Sequence, residues 1–140
     1  MNIVIDAAAA LKWVLDEPGH EAADALLDEE LVAPALWLVD AANALWHRAQ
    51  RGEPSLDEAR ERLAELGNAP VATSAIEDDV FAAAELANAL GHPVYDCLYL
   101  AAAVREGAYV VTADARFHAV VGQSPAFADR VRMLEPERRR

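Results

Sequence analysis

Four aspartates in this sequence each interrupt a run of otherwise apolar residues: Asp6, Asp40, Asp96 and Asp114. A lone carboxylate among buried groups costs several kcal/mol of desolvation, which is of the order of the net stability of a whole domain. Several such carboxylates in one chain indicate that they share a ligand, and a divalent cation is the simplest ligand that they can share. Since the ligand atoms are all oxygens, the pattern favours Mg²⁺ or Mn²⁺ over zinc.

Each aspartate also has a purely structural interpretation. Asp6 and Asp114 come directly after strand-like runs, where a helix N-cap contributes about 1 kcal/mol. Asp40 and Asn43 are three residues apart on one helix face, so a buried hydrogen-bonded pair is an alternative there. Asp96 falls at or near the start of a predicted helix, where the helix dipole favours a negative charge. Capping does not exclude metal binding, because a capping aspartate at a strand end already faces the ligand side of a parallel sheet.

The other reactive residue types favour no competing chemistry. The four histidines have no ligand spacing with one another and are expected on the surface or in loops: His20, His47, His92 and His118. Cys97 is expected to be a small core residue. Nucleotide-binding glycine motifs and the Gly-x-Ser-x-Gly motif do not occur in the sequence. Carboxylates with a hard metal ion favour hydrolysis at phosphorus, in which the metal polarises the phosphate and acidifies the attacking water.

Length, composition and charge limit the class of protein. The 140 residues, 54% of them hydrophobic, predict one domain with its own core. The formal net charge of −12 argues against nucleic-acid binding by bulk charge alone and favours a metal-requiring site or a basic protein partner. A single cysteine, no signal-peptide pattern and no apolar run of membrane-span length predict a cytoplasmic protein with no membrane contact. Residues 136–140 are expected to form a solvated basic tail.

Short apolar strands alternate with helices along the chain. The predicted strands cover residues 2–5, 71–73, 109–112 and 131–134. The predicted helices cover residues 7–15, 20–31, 34–51, 55–66, 74–91, 96–106 and 114–121. Pro34 is placed in the first turn of the third helix, which is apolar nearly all round and therefore expected to be buried on most faces. Ser55 and Ser74 each open a predicted capping box.

This alternation predicts an α/β fold with a mostly parallel central sheet. In such sheets, ligands bind beyond the carboxyl ends of the strands. Asp6 and Asp114 both follow a predicted strand and can therefore be neighbours, although they are far apart in sequence.

Four segments, in order, resemble the motifs of PIN-domain proteins, in particular the VapC toxins of bacterial and archaeal toxin–antitoxin pairs. Ile3-Val4-Ile5-Asp6-Ala7, followed by Ala10-Leu11-Lys12-Trp13, is similar to the first motif. The stretch from Pro34 to Asn43-Ala44-Leu45 is similar to the second. Tyr95-Asp96-Cys97-Leu98-Tyr99-Leu100-Ala101 resembles the third, and Val111-Thr112-Ala113-Asp114-Ala115-Arg116-Phe117 the fourth. Each motif alone is weak, but the ordered set is specific and spans residues 2 to about 134.

The resemblance implies a PIN-like α/β/α sandwich over residues 1–135 that is usually dimeric. It implies a ribonuclease that requires Mg²⁺ or Mn²⁺ and cuts single-stranded or structured RNA. By the same analogy Asp6, Asp40, Asp96 and Asp114 form the catalytic and metal-binding cluster, supported by Asn43 and Thr112. The usual partner is a small antitoxin whose basic or aromatic C-terminal segment covers the site, so a homodimer or a toxin–antitoxin hetero-oligomer is expected. Possible RNA phosphate contacts near the motifs are Lys12, Arg48, Arg51 and Arg116.

Two positions depart from the family pattern. Asp40 stands where the family usually has Glu, and Ala8 stands where Ser or Thr is common. An alternative is therefore a PIN-like binding module with weakened catalysis, which acts with a small antitoxin as a corepressor. A third alternative is a receiver-like regulatory domain with an acidic Mg²⁺ pocket. Against it, Lys12 is the only lysine of the chain, so no lysine follows the last strands.

Overall fold

A five-stranded parallel sheet forms the centre of the structure, a computed structural model that describes residues 2–135. The strands are β1 (Ile3–Ile5), β2 (Leu31–Pro34), β3 (Val71–Ser74), β4 (Tyr109–Thr112) and β5 (Val131–Met133). Their order in the sheet is β3-β2-β1-β4-β5, and all four neighbouring pairs are parallel. The predicted α/β fold is thus confirmed, and the sheet is parallel throughout the described residues. The order also differs from the 2-1-3-4-5 order of flavodoxin-like sheets, which argues against the receiver-like alternative.

Helices connect the strands and flank the sheet. They are α1 (Ala7–Ala10), α2 (His20–Ala25), α3 (Trp37–Gln50), α4 (Leu56–Gly67), α5 (Val80–Leu90), α6 (Val94–Glu106) and α7 (Ala115–Gly122). Single 3₁₀ turns lie at Leu11–Trp13, Leu26–Asp28, Ile76–Asp78 and Ala128–Arg130. Because parallel crossovers are right-handed, α1 to α4 cover one face of the sheet and α5 to α7 the other.

The core is centred on β1 and α6. All three residues of β1 are buried, since β2 and β4 lie on either side and helices cover both faces, which explains its continuous apolar run. Helix α6 packs on β1, β2 and β4 and buries every residue from Cys97 to Ala103. The helix ends at Gly107, whose φ of 66° forms a left-handed cap. The sheet and α6 therefore provide a rigid base for residues at the carboxyl ends of β1 and β4.

The largest error of the sequence prediction concerns β2. Residues 20–31 were predicted as one helix and Pro34 as the start of the next, but α2 ends at Ala25 and α3 begins only at Trp37. Between them, Leu31–Pro34 forms a strand because β1 and β3 pair with it on both sides. Pro34 fits in this strand because pairing with β1 ends at Val32, so a missing N–H on that side loses no sheet bond.

Smaller corrections concern helix starts. Ser74 does not cap a helix; it pairs with Pro34 at the end of β3, and α5 begins at Val80. The other predicted capping box is present in part, since the N–H of Glu58 donates to Oγ of Ser55 at 3.2 Å. The first predicted helix is α1 followed by a 3₁₀ turn.

Helix α3 is buried on one face only. Trp37, Ala41 and Leu45 are buried, whereas Val39 and Trp46 are exposed by 70% and 52%. The expectation of burial on most faces was therefore wrong.

Within residues 2–135, no helix has both the length and the apolar character of a membrane span. The predicted basic tail at 136–140 lies outside the described residues.

Candidate functional site

A cavity of about 260 Å³ opens at the carboxyl end of the sheet, and all four singled-out aspartates line it. Asp6 follows β1, Asp114 follows the neighbouring β4, Asp40 lies in α3, and Asp96 lies in the first turn of α6. The remaining lining residues are Ala7, Ala8, Leu11, Lys12, Ala44, Arg48 and Ala113. The sheet order reverses direction between β1 and β4, and this is where open α/β sheets bind their ligands.

Asp6 is the most buried of the four, with 6% of its surface exposed. Its backbone N–H donates to the Val111 carbonyl at 3.3 Å, and its Oδ1 accepts from the Ala9 N–H at 2.9 Å. Burial raises the pKa of Asp6 to about 7, against hydrogen bonding from Thr112 and Ala9, and the charges of Asp96 and Asp114 raise it further. At neutral pH the ionised form is therefore costly, and a nearby cation would relieve that cost.

Asp114 caps α7 as the sequence predicted. Its Oδ1 accepts from the N–H groups of Arg116 and Phe117 at 2.9 and 3.2 Å. Its own N–H donates to Oγ1 of Thr112 at 2.9 Å, and Thr112 is fully buried. Thr112 thus holds the backbone of Asp114 at the end of β4. The capping role and the position at the cavity coexist at Asp6 and at Asp114.

Asp40 is held by a residue that the sequence interpretation did not single out for this role. The Tyr99 hydroxyl donates to Oδ2 of Asp40 at 2.9 Å, whereas Asn43 is exposed and does not line the cavity. Burial raises the pKa of Asp40, the bond from Tyr99 lowers it, and the charge of Asp96 raises it. Burial and the charges of Asp40 and Asp6 raise the pKa of Tyr99 far above its ordinary value, so its hydroxyl remains a donor.

Asp96 is bonded to a buried histidine. Nε2 of His92 lies 2.6 Å from Oδ2 of Asp96, and the histidine side chain is only 6% exposed. His92 lies in the loop between α5 and α6, in line with the expectation of a surface or loop position, but its side chain is buried. The spacing of four residues between His92 and Asp96 was the available signal, but it crosses the α6 N-terminus and is not a metal-ligand pattern by itself. Cys97 is buried, as expected.

Two cationic side chains line the acidic cavity, and one glutamate binds both. Lys12 Nζ lies 2.8 Å from Oε1 of Glu17, and Arg48 contacts both Glu17 oxygens at 2.8 and 3.3 Å. Although partial burial acts to raise the pKa of Glu17, its bonds to Arg48 and Lys12 lower it below the ordinary value. Arg51 and Arg116 are exposed and do not line the cavity. Of the predicted phosphate contacts, Lys12 and Arg48 are therefore the two beside the aspartates.

The donor set suits a hydrated hard cation better than a dehydrated one. Among residues 2–135, no three His, Cys, Asp or Glu side chains are close enough together to form a preformed ligand set. The aspartates instead surround the cavity, and Asp40, Asp96 and Asp114 each use one carboxylate oxygen in the side-chain bonds described above. Mg²⁺ keeps several water ligands and binds through one or two carboxylates. A cavity of about 260 Å³ lined by carboxylates fits such an ion.

Comparisons with known proteins give a family and a fold. The family model described as PIN domain matches residues 3–123. The chain is similar to the crystal structure of PAE2754 from Pyrobaculum aerophilum, with 23% sequence identity and a TM-score of 0.67 over 86% of this chain and 79% of that chain. It is also similar to a chain in the structure of VapBC2 from Rickettsia felis bound to a DNA fragment from their promoter, with 13% identity and a TM-score of 0.64 over 95% and 98%. No curated protein matches the sequence. At these identities the two solved structures establish a shared fold.

Proposed function

Because this chain belongs to the PIN-domain family, we propose that it is a ribonuclease that requires Mg²⁺ or Mn²⁺ and acts as the toxin of a toxin–antitoxin pair. Members of this family are generally nucleases that use divalent metal ions. The observation that carries the proposal is the convergence of Asp6, Asp40, Asp96 and Asp114 on one cavity at the carboxyl end of the sheet.

The four aspartates would hold the cation. When bound, the cation offsets the charge of the phosphodiester and makes an attacking water more acidic. Asp6 contributes a buried carboxylate whose charge is costly without a cation. Tyr99 and Thr112 keep Asp40 and Asp114 in place through hydrogen bonds. Asn43 is a weaker candidate for support because its side chain faces solvent.

Lys12 and Arg48 would contact RNA phosphates beside the aspartates. Both line the cavity, and Glu17 fixes their positions. These two side chains, together with the cation, would allow RNA binding in a chain whose net charge is −12. Arg51 and Arg116 are proposed as peripheral contacts only, since they lie outside the cavity lining.

The proposed partner is a small antitoxin with a basic or aromatic segment that covers the acidic cavity. The similarity in fold to a chain of the VapBC2 structure supports this partner. The net charge of −12 favours a basic partner as well. We further propose a homodimer or a toxin–antitoxin hetero-oligomer, a single domain over residues 1–135, and a cytoplasmic location.

A second candidate function is a binding module that acts with the antitoxin as a corepressor. Asp40 favours it, because the family usually has Glu there and the shorter carboxylate is already bound to Tyr99. The presence of promoter DNA in the VapBC2 structure is compatible with such a role.

A cleavage assay on antitoxin-free protein distinguishes the two functions. The ribonuclease predicts that single-stranded RNA is cut with Mg²⁺ or Mn²⁺, that EDTA stops cleavage, and that Asp96→Asn lowers the rate by orders of magnitude. Asp57→Asn is the matched control, since Asp57 is 89% exposed on α4. A folded protein that neither binds divalent metal nor cuts RNA would refute the ribonuclease. An Asp96→Asn variant that still forms the antitoxin complex and represses normally would favour the binding module.

A further inference from the structure

His92 is a buried titratable residue that the proposed reaction does not yet use. It lies between α5 and α6, its side chain is 6% exposed, and it does not line the cavity. Its Nε2 nevertheless lies 2.6 Å from Oδ2 of Asp96, the shortest side-chain hydrogen bond at this site. An ionised aspartate can only accept hydrogen bonds, so Nε2 must carry the proton in this bond.

The histidine ring has little freedom to move. The ring of Phe117 packs against it, with centroids 5.3 Å apart at an angle of 33°. The His92 backbone N–H donates to the Ala87 carbonyl at 3.2 Å, and its carbonyl accepts from Sγ of Cys97 at 3.8 Å. His92 is thus fixed by the core, whereas Asp96 is partly exposed at the cavity.

The same contacts connect two of the cavity aspartates. Phe117 packs on the His92 ring, and its backbone N–H donates to Oδ1 of Asp114 at 3.2 Å. His92 in turn bonds Asp96. The core therefore sets the relative position of Asp96 and Asp114 through one pair of packed rings.

We propose that His92 is a positioning residue for the cation site: its Nε2–H holds Oδ2 of Asp96 and leaves Oδ1 directed to the cavity. The inference rests on the proposed function, because it assumes that Asp96 binds the cation. Four carboxylates around one cavity repel one another, and a side chain free to rotate would turn toward solvent. A fixed donor removes that freedom before the ion arrives, which is how groups behind a metal ligand raise metal affinity.

Four variants and a Mn²⁺ titration test this role. His92→Leu removes the donor and fills the space, His92→Gln places an amide N–H near the position of Nε2, and His92→Asn has an amide too short to reach Asp96. His47→Leu is the matched control, because His47 is exposed and does not line the cavity. Free Mn²⁺ is followed by electron paramagnetic resonance, and the Tm of each variant is recorded in EDTA.

We expect the Mn²⁺ Kd to rise by roughly 10-fold or more in His92→Leu and in His92→Asn. His92→Gln should remain within about threefold of the wild type, and His47→Leu should not change. If His92 had a purely structural role, the substitutions would lower the Tm, but His92→Gln would not restore the Mn²⁺ Kd.

Four outcomes overturn the inference. If folded His92→Leu binds Mn²⁺ as tightly as the wild type, or if His92→Gln is as weak as His92→Leu, the donor does not position Asp96, and the ribonuclease proposal stands unaffected. If His92→Leu does not fold, equal Kd values for His92→Asn and His92→Gln overturn the inference in the same way. If the wild type itself binds no Mn²⁺, the proposed function fails and the role of His92 fails with it.

Discussion

The hydroxyl of Tyr99 donates a 2.9 Å hydrogen bond to Oδ2 of Asp40, which joins α6 to α3 across 59 residues of sequence. Tyr99 is 1% exposed, and its raised pKa keeps the hydroxyl protonated over the accessible pH range. Asp40 stands where the family usually has Glu, whose side chain is one methylene longer. The tyrosine therefore holds the Asp40 carboxylate at a defined place beside the cavity.

Tyr99→Phe should weaken both the fold and the proposed cation site. The variant keeps the buried ring but removes the only donor described for the Asp40 carboxylate, which should cost about 1 kcal/mol of unfolding free energy. The Mn²⁺ Kd should also rise, because Asp40 is then free to rotate. Urea denaturation and Mn²⁺ titration measure the two effects. Tyr95→Phe is the control, since Tyr95 is 69% exposed, and equal behaviour of the two variants would contradict the role of the Tyr99 hydroxyl.

The stability of the metal-free protein should fall as pH rises, and Asp6 should be a main cause. Burial raises its pKa from 3.8 to about 7 in the folded state, so the folded protein binds this proton more tightly than the unfolded chain. The resulting stabilisation is fully present below the unfolded pKa and is lost as pH rises through about 7. Asp6→Asn removes this dependence and keeps the N-cap, because Asn caps as well as Asp.

The comparison is best made in EDTA, by urea denaturation near pH 5 and near pH 8. From pH 5 to pH 8, the free energy of unfolding of Asp6→Asn should rise relative to that of the wild type by on the order of 2–3 kcal/mol. Added Mg²⁺ should stabilise the wild type near pH 8 and leave Asp6→Asn unchanged. A difference in unfolding free energy between the two proteins that does not change with pH would show that burial does not raise the pKa of Asp6.

Local signals in the sequence were enough to predict part of the fold. The runs at β1 and β4 are short, β-branched and followed by a capping aspartate, so both strands and both caps could be predicted from neighbouring residues alone. Strand β2 could not, because Leu31–Pro34 is a strand only through its pairing with β1 and β3. A four-residue apolar run that contains proline is equally compatible with the start of a helix.

In the candidate site, too, some features could be predicted from local sequence and others depended on long-range contacts. The four aspartates were visible because a carboxylate in an apolar run is energetically unusual. Their partners were not, because Tyr99 reaches Asp40 across 59 residues and Arg48 reaches Glu17 across 31. Even His92, only four residues from Asp96, depends on core packing for its orientation. Residue type thus indicated the chemistry of the candidate site, and tertiary packing determined which side chains hold the aspartates in place.

Arg48 should contribute to RNA binding more than Arg51, although both lie at the C-terminal end of α3. Arg48 lines the cavity and is held by Glu17, whereas Arg51 is exposed outside it. In an Asp96→Asn background, in which we expect cleavage to be slowed by orders of magnitude, Arg48→Gln should weaken binding of a single-stranded RNA several-fold. It should also reduce the log–log salt slope by about 0.7. Fluorescence anisotropy at several salt concentrations measures both. A larger effect from Arg51→Gln would place the RNA path away from the cavity.

Arg105→Met should destabilise the fold without affecting the proposed cation site. The Arg105 guanidinium makes bonds of 2.7 and 2.9 Å to both oxygens of Asp79, which is 2% exposed, and so fastens the end of α6 to the start of α5. Removing it leaves a buried carboxylate without its cation. Because Arg105 is itself about one third exposed, the cost should be about 2–3 kcal/mol, below the 3–5 kcal/mol typical of fully buried pairs. Arg60→Met, at a position 82% exposed, should cost almost nothing. If Arg105→Met changed the Mn²⁺ Kd while the protein remained folded, the acidic cavity would depend on the α5–α6 contact as well as on the sheet.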